Sequence, residues 1–180
     1  TNDGEKATFI AIEGGEIIDK KEFAAPKGTS VIVKDLFFNT PARQKFMKSD
    51  GCEMSHISDI VSKFIIGYPE IAIKLSANGR EVLSSGGSLK AIDTIASVYG
   101  SQFAKNLLEF KSGNFEGFIG KPSDTKINRE YQLFFVNNRV VRNHLLSKAV
   151  EDAYLNLIPR DRKPASIIFI KIDPAVIDVN

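Results

Sequence analysis

Hydrophobic and polar residues alternate along the first part of the chain, which is the pattern of half-buried β-strands. Ala7–Glu13 and Glu16–Phe23 are two such segments, and the Gly-Gly pair between them predicts a tight hairpin turn. A third alternating segment, Ser30–Asp35, follows a connection that contains proline. Three short strands in succession predict an antiparallel meander.

The apolar period then changes to that of a helix. Pro41 follows Asn39 and Thr40, which predicts the start of a short basic helix because proline is tolerated at the first helical position and Asn or Thr can cap it. A longer amphipathic helix is predicted from about Cys52 to Ile66, where apolar residues recur three and four apart. The Gly-Tyr-Pro sequence that follows predicts its end.

The second half predicts two hairpins, a helix and a strand–helix–strand unit. One hairpin turns at Asn78-Gly79, and the run Ser84–Ser88 (Ser-Ser-Gly-Gly-Ser) is where we place a domain boundary, between residues 1–86 and 87–180. The apolar strand Gln132–Val136, a helix around Leu145–Tyr154 and the strand Ala165–Ile172 form a βαβ crossover, so the two strands are expected to be parallel. The predicted class is α+β in two parts.

The composition is that of an ordinary globular protein. Hydrophobic residues make up 43% of the 180 residues, and the net charge is only +2, so nucleic-acid binding would require local clusters of basic residues. A single cysteine excludes a disulfide framework, and no apolar run approaches the roughly 18 residues of a membrane span. We expect a soluble, cytoplasmic protein of bacterial or archaeal type, or a nuclear one if it is eukaryotic. Both ends lack natural boundary signals, so we interpret the chain as a fragment.

Signals for catalysis or metal binding are weak. The chain has no Gly-rich phosphate loop, zinc-spaced cysteine set or nucleophile elbow. Cys52 and His56 lie four apart on a predicted helix, but two ligands do not make a zinc site. His144 is expected near a helix start, and Asp173 and Asp178 flank a turn at a strand end. We therefore predict no catalytic residue and no metal site.

Three stretches, taken together, resemble one family. GTSVIVKDLFFNTPARQKF begins at Gly28, FFVNNRVVRNHLLSKAVEDAY begins at Phe134, and PRDRKPASIIFIKIDPAVIDVN begins at Pro159. They are similar, in the same order, to motifs of MutL-type DNA mismatch repair proteins in the GHKL ATPase superfamily. The resemblance implies a partial GHKL ATPase sandwich over 1–86, followed over 87–180 by a transducer domain with a ribosomal-protein-like fold, cut short at its C-terminal end. In that domain the crossover is left-handed, against the usual rule.

The resemblance also implies a nucleotide. ATP and Mg²⁺ would bind the full-length protein, where Gly28 and Thr29 correspond to residues beside the adenine. The family's other ATP-site motifs, including the Glu and Asn of the catalytic centre and a lysine beyond Asn180, are not in this sequence. We therefore expect no nucleotide bound to this piece and no ATP hydrolysis by it alone, although the parent protein would be an ATPase.

DNA is the macromolecular ligand that the resemblance implies. Two basic clusters would contact phosphates without reading sequence: Arg139 with Arg142, and Arg160 with Arg162 and Lys163. The alternative is that these are solvated side chains at loop ends. The family further implies mismatch-recognition and other repair proteins as partners, homodimerisation driven by ATP at the N-terminal region, and no membrane.

Two other functions remain open at this point. A type II topoisomerase ATPase subunit shares the two-domain layout but lacks the DLFFNTPAR sequence. A non-enzymatic nucleic-acid-binding module would account for the second half of the chain and leave the first 83 residues unexplained.

Overall fold

The computed structural model describes residues 6–177, which form two compact units divided along the chain between Glu53 and Met54. The first unit and the helix that leaves it contain β1 (Ala7–Glu13), β2 (Glu16–Phe23), α1 (Pro41–Lys45) and α2 (Asp50–Gly67). The remaining elements are β3 (Ala72–Ala77), β4 (Arg80–Gly86), α3 (Ala91–Tyr99), α4 (Ser101–Lys105), β5 (Leu107–Ser112), β6 (Phe115–Gly120), β7 (Thr125–Lys126), β8 (Gln132–Val136), β9 (Arg139–Val141), α5 (His144–Ala153), β10 (Lys163–Pro164) and β11 (Ser166–Ile170).

The first unit is built on the predicted hairpin. β1 and β2 pair antiparallel from Ala7 opposite Phe23 to Glu13 opposite Glu16, with one irregularity in register near Ala11. The turn requires positive φ at Gly14 (59°) and Gly15 (94°), which glycine adopts without a steric penalty. The prediction of this hairpin, including both strand boundaries, is confirmed.

The predicted third strand, Ser30–Asp35, is wrong. The backbone of residues 30–34 has no regular secondary structure, and the three apolar side chains Val31, Ile32 and Val33 are 71–80% exposed. An alternating sequence becomes a strand only where a neighbouring strand accepts its hydrogen bonds and covers one face. The first unit therefore contains a two-stranded hairpin in place of a meander.

The two predicted helices are present. Pro41 is the first residue of α1 and Thr40 precedes it as the N-cap, although the Thr40 side chain makes no capping hydrogen bond. α2 extends from Asp50 to Gly67 and so begins two residues before the predicted range and ends one residue after it. The helix predictions are confirmed.

A five-stranded sheet in the order β5-β6-β11-β8-β9 organises the second unit. β11 lies at its centre, parallel to β8 and antiparallel to β6. The parallel pair sets Ser166 opposite Gln132 and Ile170 opposite Val136, and α5 lies between the two strands in sequence. The predicted βαβ crossover and its parallel pair are confirmed.

The core lies on both faces of this sheet. On one face, Phe135 and Ile167 pack with Ile66 of α2 and Ile95 of α3. On the other, Phe134 and two isoleucines of β11 pack with partly buried residues of α5. β8 and β11 are buried on both sides, which explains why their sequences are continuous apolar runs.

The shortest elements were not predicted. β7 pairs with β10 over two residues, β9 spans three residues, and α4 spans five. Segments of two or three residues carry too little periodicity to be recognised from sequence. Within residues 6–177, no helix has the length and apolar character that a membrane span requires.

The glycine–serine run does not separate the two compact units. Residues 84–88 lie inside the second unit, where Ser85 is buried and the backbone N–H of Ser88 donates to the carbonyl of Pro69 at 2.7 Å. These contacts hold the run in place, so it is not a free linker. The assignment of 1–86 and 87–180 to two family domains stays a prediction.

Gly117 permits the closest backbone approach in the sheet. Its φ is +148°, and a Cβ at this position would overlap the carbonyl oxygen of Ile167. We expect Gly117→Ala to lower the free energy of unfolding by several kcal/mol, roughly the range of a severe packing defect, because β6 and β11 would have to separate. Gly113→Ala, at φ +55° with open space around it, should cost only about 1 kcal/mol. Urea unfolding of both variants, followed by circular dichroism, tests this; equal destabilisation would contradict it.

Candidate functional site

The turn between β8 and β9 positions Arg139. Asn137 and Asn138 have φ values of 47° and 66°, a left-handed conformation that asparagine tolerates better than most residues. The Asn137 amide is bound to the segment after β11, since its Nδ2 donates to the carbonyl of Ile172 at 2.8 Å and its Oδ1 accepts from the Ile172 N–H at 3.1 Å. The turn is thereby fixed to the sheet, and Arg139 begins the strand that leaves it.

Arg142 lies between β9 and α5. The Asn143 side chain caps α5 by accepting hydrogen bonds from the backbone N–H groups of Leu145 and Leu146, at 2.8 and 3.2 Å. His144 is the first residue of the helix, as predicted. Arg139 and Arg142 are both exposed, and neither forms an ion pair with another described residue. Their guanidinium groups are available to an anionic ligand.

Two adjoining clefts of the second unit contain Arg142. The larger, of about 800 Å³, lies along residues 129–134 and 140–144, with His56, Asp59 and Tyr99 on its other side. The smaller, of about 630 Å³, adds Arg139, Phe64 and other residues of α2. α2 and the β8–β9–α5 segment therefore form the two walls of one basic surface.

Two other cations in these clefts are paired, and the larger cleft also contains the exposed carboxylate of Glu130, which forms no ion pair with another described residue. Lys63 forms an ion pair with Asp59 one turn earlier on α2, and the Arg129 Nε lies 2.6 Å from Glu151 Oε1. Burial, followed by the nearby Asp59 carboxylate, raises the pKa of Tyr99 to about 12, so its hydroxyl keeps its proton. The uncompensated positive charge of the surface comes mainly from the two arginines described above.

Glu151 of α5 binds two cations from different segments. Arg129 donates to it through Nε at 2.6 Å and Nη2 at 3.1 Å, and Lys163 Nζ lies 2.8 Å from its second oxygen. The hydrogen bonds from Arg129, with those from Lys163, lower the pKa of Glu151 to about 2. This half-buried network joins α5 to β10 and to the segment before β8.

The three residues of the second predicted basic cluster, Arg160, Arg162 and Lys163, therefore differ in how available they are to a ligand. Lys163 is half-buried and engaged by Glu151, whereas Arg160 is exposed and Arg162 is half-buried in the turn that begins at Pro159. Neither arginine forms an ion pair with another described residue. A phosphate could reach these two side chains more easily than it could reach Lys163, whose binding to DNA would require loss of an existing ion pair.

Gly28 and Thr29 belong to the first unit, and both are exposed. Gly28 has φ +146°, a conformation that favours glycine, and no atom lies within 4 Å of the position where a Cβ would be. The side of Gly28 where a side chain would project is thus open, while its backbone takes part in a β-bridge. The assignment of Gly28 and Thr29 to a nucleotide site stays a prediction.

The remaining features considered in the sequence are groups that could bind a metal and the turn after Asp173. Among residues 6–177, no group of three or more His, Cys, Asp or Glu side chains could hold a metal ion. Asp173 caps a 3₁₀ turn at Pro174–Val176 by accepting from the Ala175 N–H at 2.9 Å, which confirms the predicted strand-end turn. The residues Asp178-Val179-Asn180, which carry part of the family resemblance, lie outside the described residues.

Sequence reasoning missed the contribution of α2 to the clefts. His56, Asp59, Ile60, Lys63 and Phe64 all line at least one of them. The signal was present, because these residues recur three and four apart on one side of the helix. What the pattern did not contain is which distant segment faces them.

Comparisons with known proteins identify relatives of this chain by sequence and by fold. A family model described as "DNA mismatch repair protein, C-terminal domain" matches residues 95–180. The DNA mismatch repair protein MutL of Halothermothrix orenii is 40% identical over 97% of this chain and 28% of its own length. Among solved structures, the N-terminal domain of a DNA repair protein has a TM-score of 0.83 at 24% identity, covering 100% of this chain and 61% of that one. A MutL ATPase domain of Aquifex aeolicus in complex with ADP has a TM-score of 0.74 at 22% identity, covering 94% and 63%.

These matches place the chain among DNA mismatch repair proteins, and its α+β fold is similar to that of the solved MutL ATPase domain. The chain belongs to the MutL family. It spans about 28% of the length of the curated relatives that it matches. These findings support the MutL interpretation over the topoisomerase one.

The Glu151 network makes a prediction about acid stability. Because its pKa is lowered in the folded state, Glu151 stabilises the fold above its unfolded pKa of about 4.5, and this contribution is lost as the pH falls toward 2. Glu151→Gln should therefore lower the free energy of unfolding at pH 7 by at most about 3 kcal/mol, and by much less near pH 2.

Chemical denaturation at several pH values measures this difference. Glu109→Gln is the matched control, since Glu109 is exposed and forms no ion pair with another described residue. The control should follow the parent chain at every pH. A Glu151→Gln deficit that does not change between pH 7 and pH 2 would contradict the assigned role of the carboxylate.

Proposed function

We propose that this chain is the part of a MutL-type mismatch repair ATPase that contacts DNA and couples nucleotide binding to that contact. The observation that carries the proposal is the pair Arg139 and Arg142, exposed and without an ion pair to another described residue, at clefts walled by α2 and α5. Membership of the MutL family supports DNA as the ligand.

The proposed DNA contact is to phosphate. Guanidinium groups donate in a fixed fork that matches phosphate oxygens, and such contacts orient a protein on DNA without reading the bases. Arg160 and Arg162 extend the proposed surface, and Lys163 adds to it only if its bond to Glu151 is exchanged for one to phosphate. Binding of this kind weakens as salt rises because neutralised phosphates release counterions.

The proposed nucleotide contact is made by Gly28 and Thr29 in the longer protein. The open space beside Gly28 and the exposed Thr29 suit the edge of an adenine, and a MutL ATPase domain of similar fold has been solved with ADP. ATP with Mg²⁺ would supply the reactive phosphate and its charge neutralisation there. The residues that would complete such a site are not in this sequence, so the chain alone binds nucleotide weakly or not at all and does not hydrolyse it.

In the whole protein we propose that ATP binding drives homodimerisation of the N-terminal regions. The transducer domain would then pass the nucleotide state to DNA and to mismatch-recognition and other repair proteins. We propose the cytoplasm as the site of action. The family membership of the chain supports this switching role. In that role the chain binds DNA and partners and transmits the nucleotide state, and it does not turn over a substrate.

The proposed DNA contact predicts that reversing the charge of Arg139 or Arg142 lowers the affinity for DNA. Arg142→Glu and Arg139→Glu should each weaken binding to a fluorescent duplex by about tenfold at low salt, because a phosphate would meet a carboxylate in place of a guanidinium. Anisotropy titrations over a range of salt concentrations measure the effect, and the salt dependence should become shallower. Arg80→Glu, an equal charge change at the exposed start of β4, should leave affinity nearly unchanged. Equal losses of affinity in all three variants would mean that only the net charge of the protein matters. Unchanged affinity of Arg142→Glu and Arg139→Glu would mean that these two arginines do not contact DNA.

The nucleotide assignment predicts that this chain alone does not hydrolyse ATP and that its contact with a nucleotide involves Gly28 and Thr29. A phosphate-release assay on this chain with ATP and Mg²⁺ should give the rate of the buffer alone, because the catalytic residues are outside it. Any backbone NMR shifts caused by ADP at millimolar concentration should centre on Gly28 and Thr29, and shifts confined to other residues would contradict the assignment. Turnover near 1 s⁻¹, a typical enzymatic rate, would overturn this account.

A further inference from the structure

α2 carries a second apolar face that the core does not use. From Met54 onward, its buried positions are Ser62, Ile65, Ile66 and Gly67. Ile57, Ile60 and Phe64 are 45%, 54% and 54% exposed. Spacings of three and four residues place these three side chains in one stripe along the helix.

Tyr68 extends this stripe. Its backbone N–H donates to the carbonyl of Phe64 at 2.9 Å, so the helical path continues for one more residue, and the two rings stack with centroids 6.4 Å apart. From Ile57 to Tyr68 the stripe is roughly 16 Å long, or about three helical turns. Single exposed apolar residues need no explanation, but a continuous stripe of this length marks an interaction site.

The stripe forms one wall of the smaller cleft. Ile60, Phe64 and Tyr68 face Asn138 and Val140 across a volume of about 630 Å³. Val140 is itself 45% exposed. The cleft is therefore a groove into which both sides present apolar side chains, and these side chains make up its apolar floor.

Positive charge borders the groove. Arg139 and Arg142 line it without an ion pair to another described residue, whereas Lys63 and Asp59 neutralise each other. A ligand that fills the apolar floor would place its flanks beside two guanidinium groups. Carboxylates on those flanks would gain charge-assisted hydrogen bonds, and ammonium groups would be repelled.

We propose that this groove binds an amphipathic helix of a protein partner, with an apolar seam on one side and Asp or Glu beside it. A helix presents side chains at intervals of three and four residues, which matches the spacing of the α2 stripe and allows two helices to pack by ridges and grooves. Nucleic acid fits the floor less well, because its two aromatic rings, Phe64 and Tyr68, already stack on each other. The aliphatic Ile60 and Val140 offer neither a flat stacking face nor a hydrogen bond.

This inference goes beyond the proposed DNA contact, although it uses the same two arginines. Because both ligands would require those arginines, helix binding and duplex binding are expected to compete. The groove would then link partner binding to DNA release through shared side chains, with no change of conformation required.

The test uses two synthetic 21-residue helical peptides that share a leucine seam at spacings of three and four. One carries glutamate beside the seam and the other carries lysine. The glutamate peptide should bind this chain with a dissociation constant in the micromolar range and displace a fluorescent duplex, and the lysine peptide should bind at least about tenfold more weakly. Isothermal titration calorimetry measures the first result and anisotropy the second.

Phe64→Ala should weaken binding of the glutamate peptide by about tenfold or more, a clearly larger loss than it causes in duplex binding, because the proposed phosphate contacts come from the arginines. Phe115→Ala is the matched control, because Phe115 is 45% exposed in β6 and lies outside both clefts. Arg142→Glu should weaken both ligands. If it weakens the peptide alone, the proposed DNA contact fails and the helix groove stands.

Two results would overturn the inference. Equal binding of the two peptides, or no effect of Phe64→Ala, would mean that the groove does not select an acidic helix. Binding of single-stranded oligothymidylate that depends on Phe64 but not on Phe115, with no peptide binding, would identify the groove as a base-stacking site instead.

Discussion

The parallel pairing of β8 with β11 is the constraint on which the second unit depends. Both strands are buried on two faces, so a shift of one residue would exchange the side chains that meet α2 and α3 with those that meet α5. The register that places Ser166 opposite Gln132 therefore also fixes where the chain leaves β8. Arg139 and Arg142 occupy their positions because this exit is fixed by the core and by the Asn137 side chain.

The charges that stabilise the fold and the charges proposed to bind a ligand belong to different side chains. Glu151 holds Arg129 and Lys163 in a network that joins α5 to its neighbours, and Asp59 holds Lys63. Charges engaged in this way stabilise the fold and contribute little to attraction of a ligand. The free guanidinium groups at the clefts are the ones that remain for phosphate or carboxylate, which is why a chain with a net charge of only +2 can still present a local basic site.

Rules that depend on residue type and local spacing predicted most helices and strands. Where these rules failed, contacts with other segments of the chain decided the structure. The hairpins turn at Gly14-Gly15 and Asn78-Gly79 because those residues adopt positive φ, a property of the residues themselves. Ser30–Asp35 has an equally good alternating pattern and forms no strand, because a strand also needs a partner for its hydrogen bonds. The glycine–serine run has the composition of a linker, yet its neighbours bind it through Ser85 and Ser88.

By itself the sequence determined the α+β class, the βαβ unit, the family resemblance and the candidate basic residues, because each depends on residue type, spacing or order along the chain. Only the tertiary structure decided that Lys163 is paired and Arg142 is not, and that α2 faces the β8–β9 turn across a groove. Those facts depend on which distant segments meet, and packing of the sheet determines that. The stretch Gly28–Lys48, the most recognisable in the sequence, identifies the family, whereas the surface available for binding is assembled from α2, β9 and the start of α5.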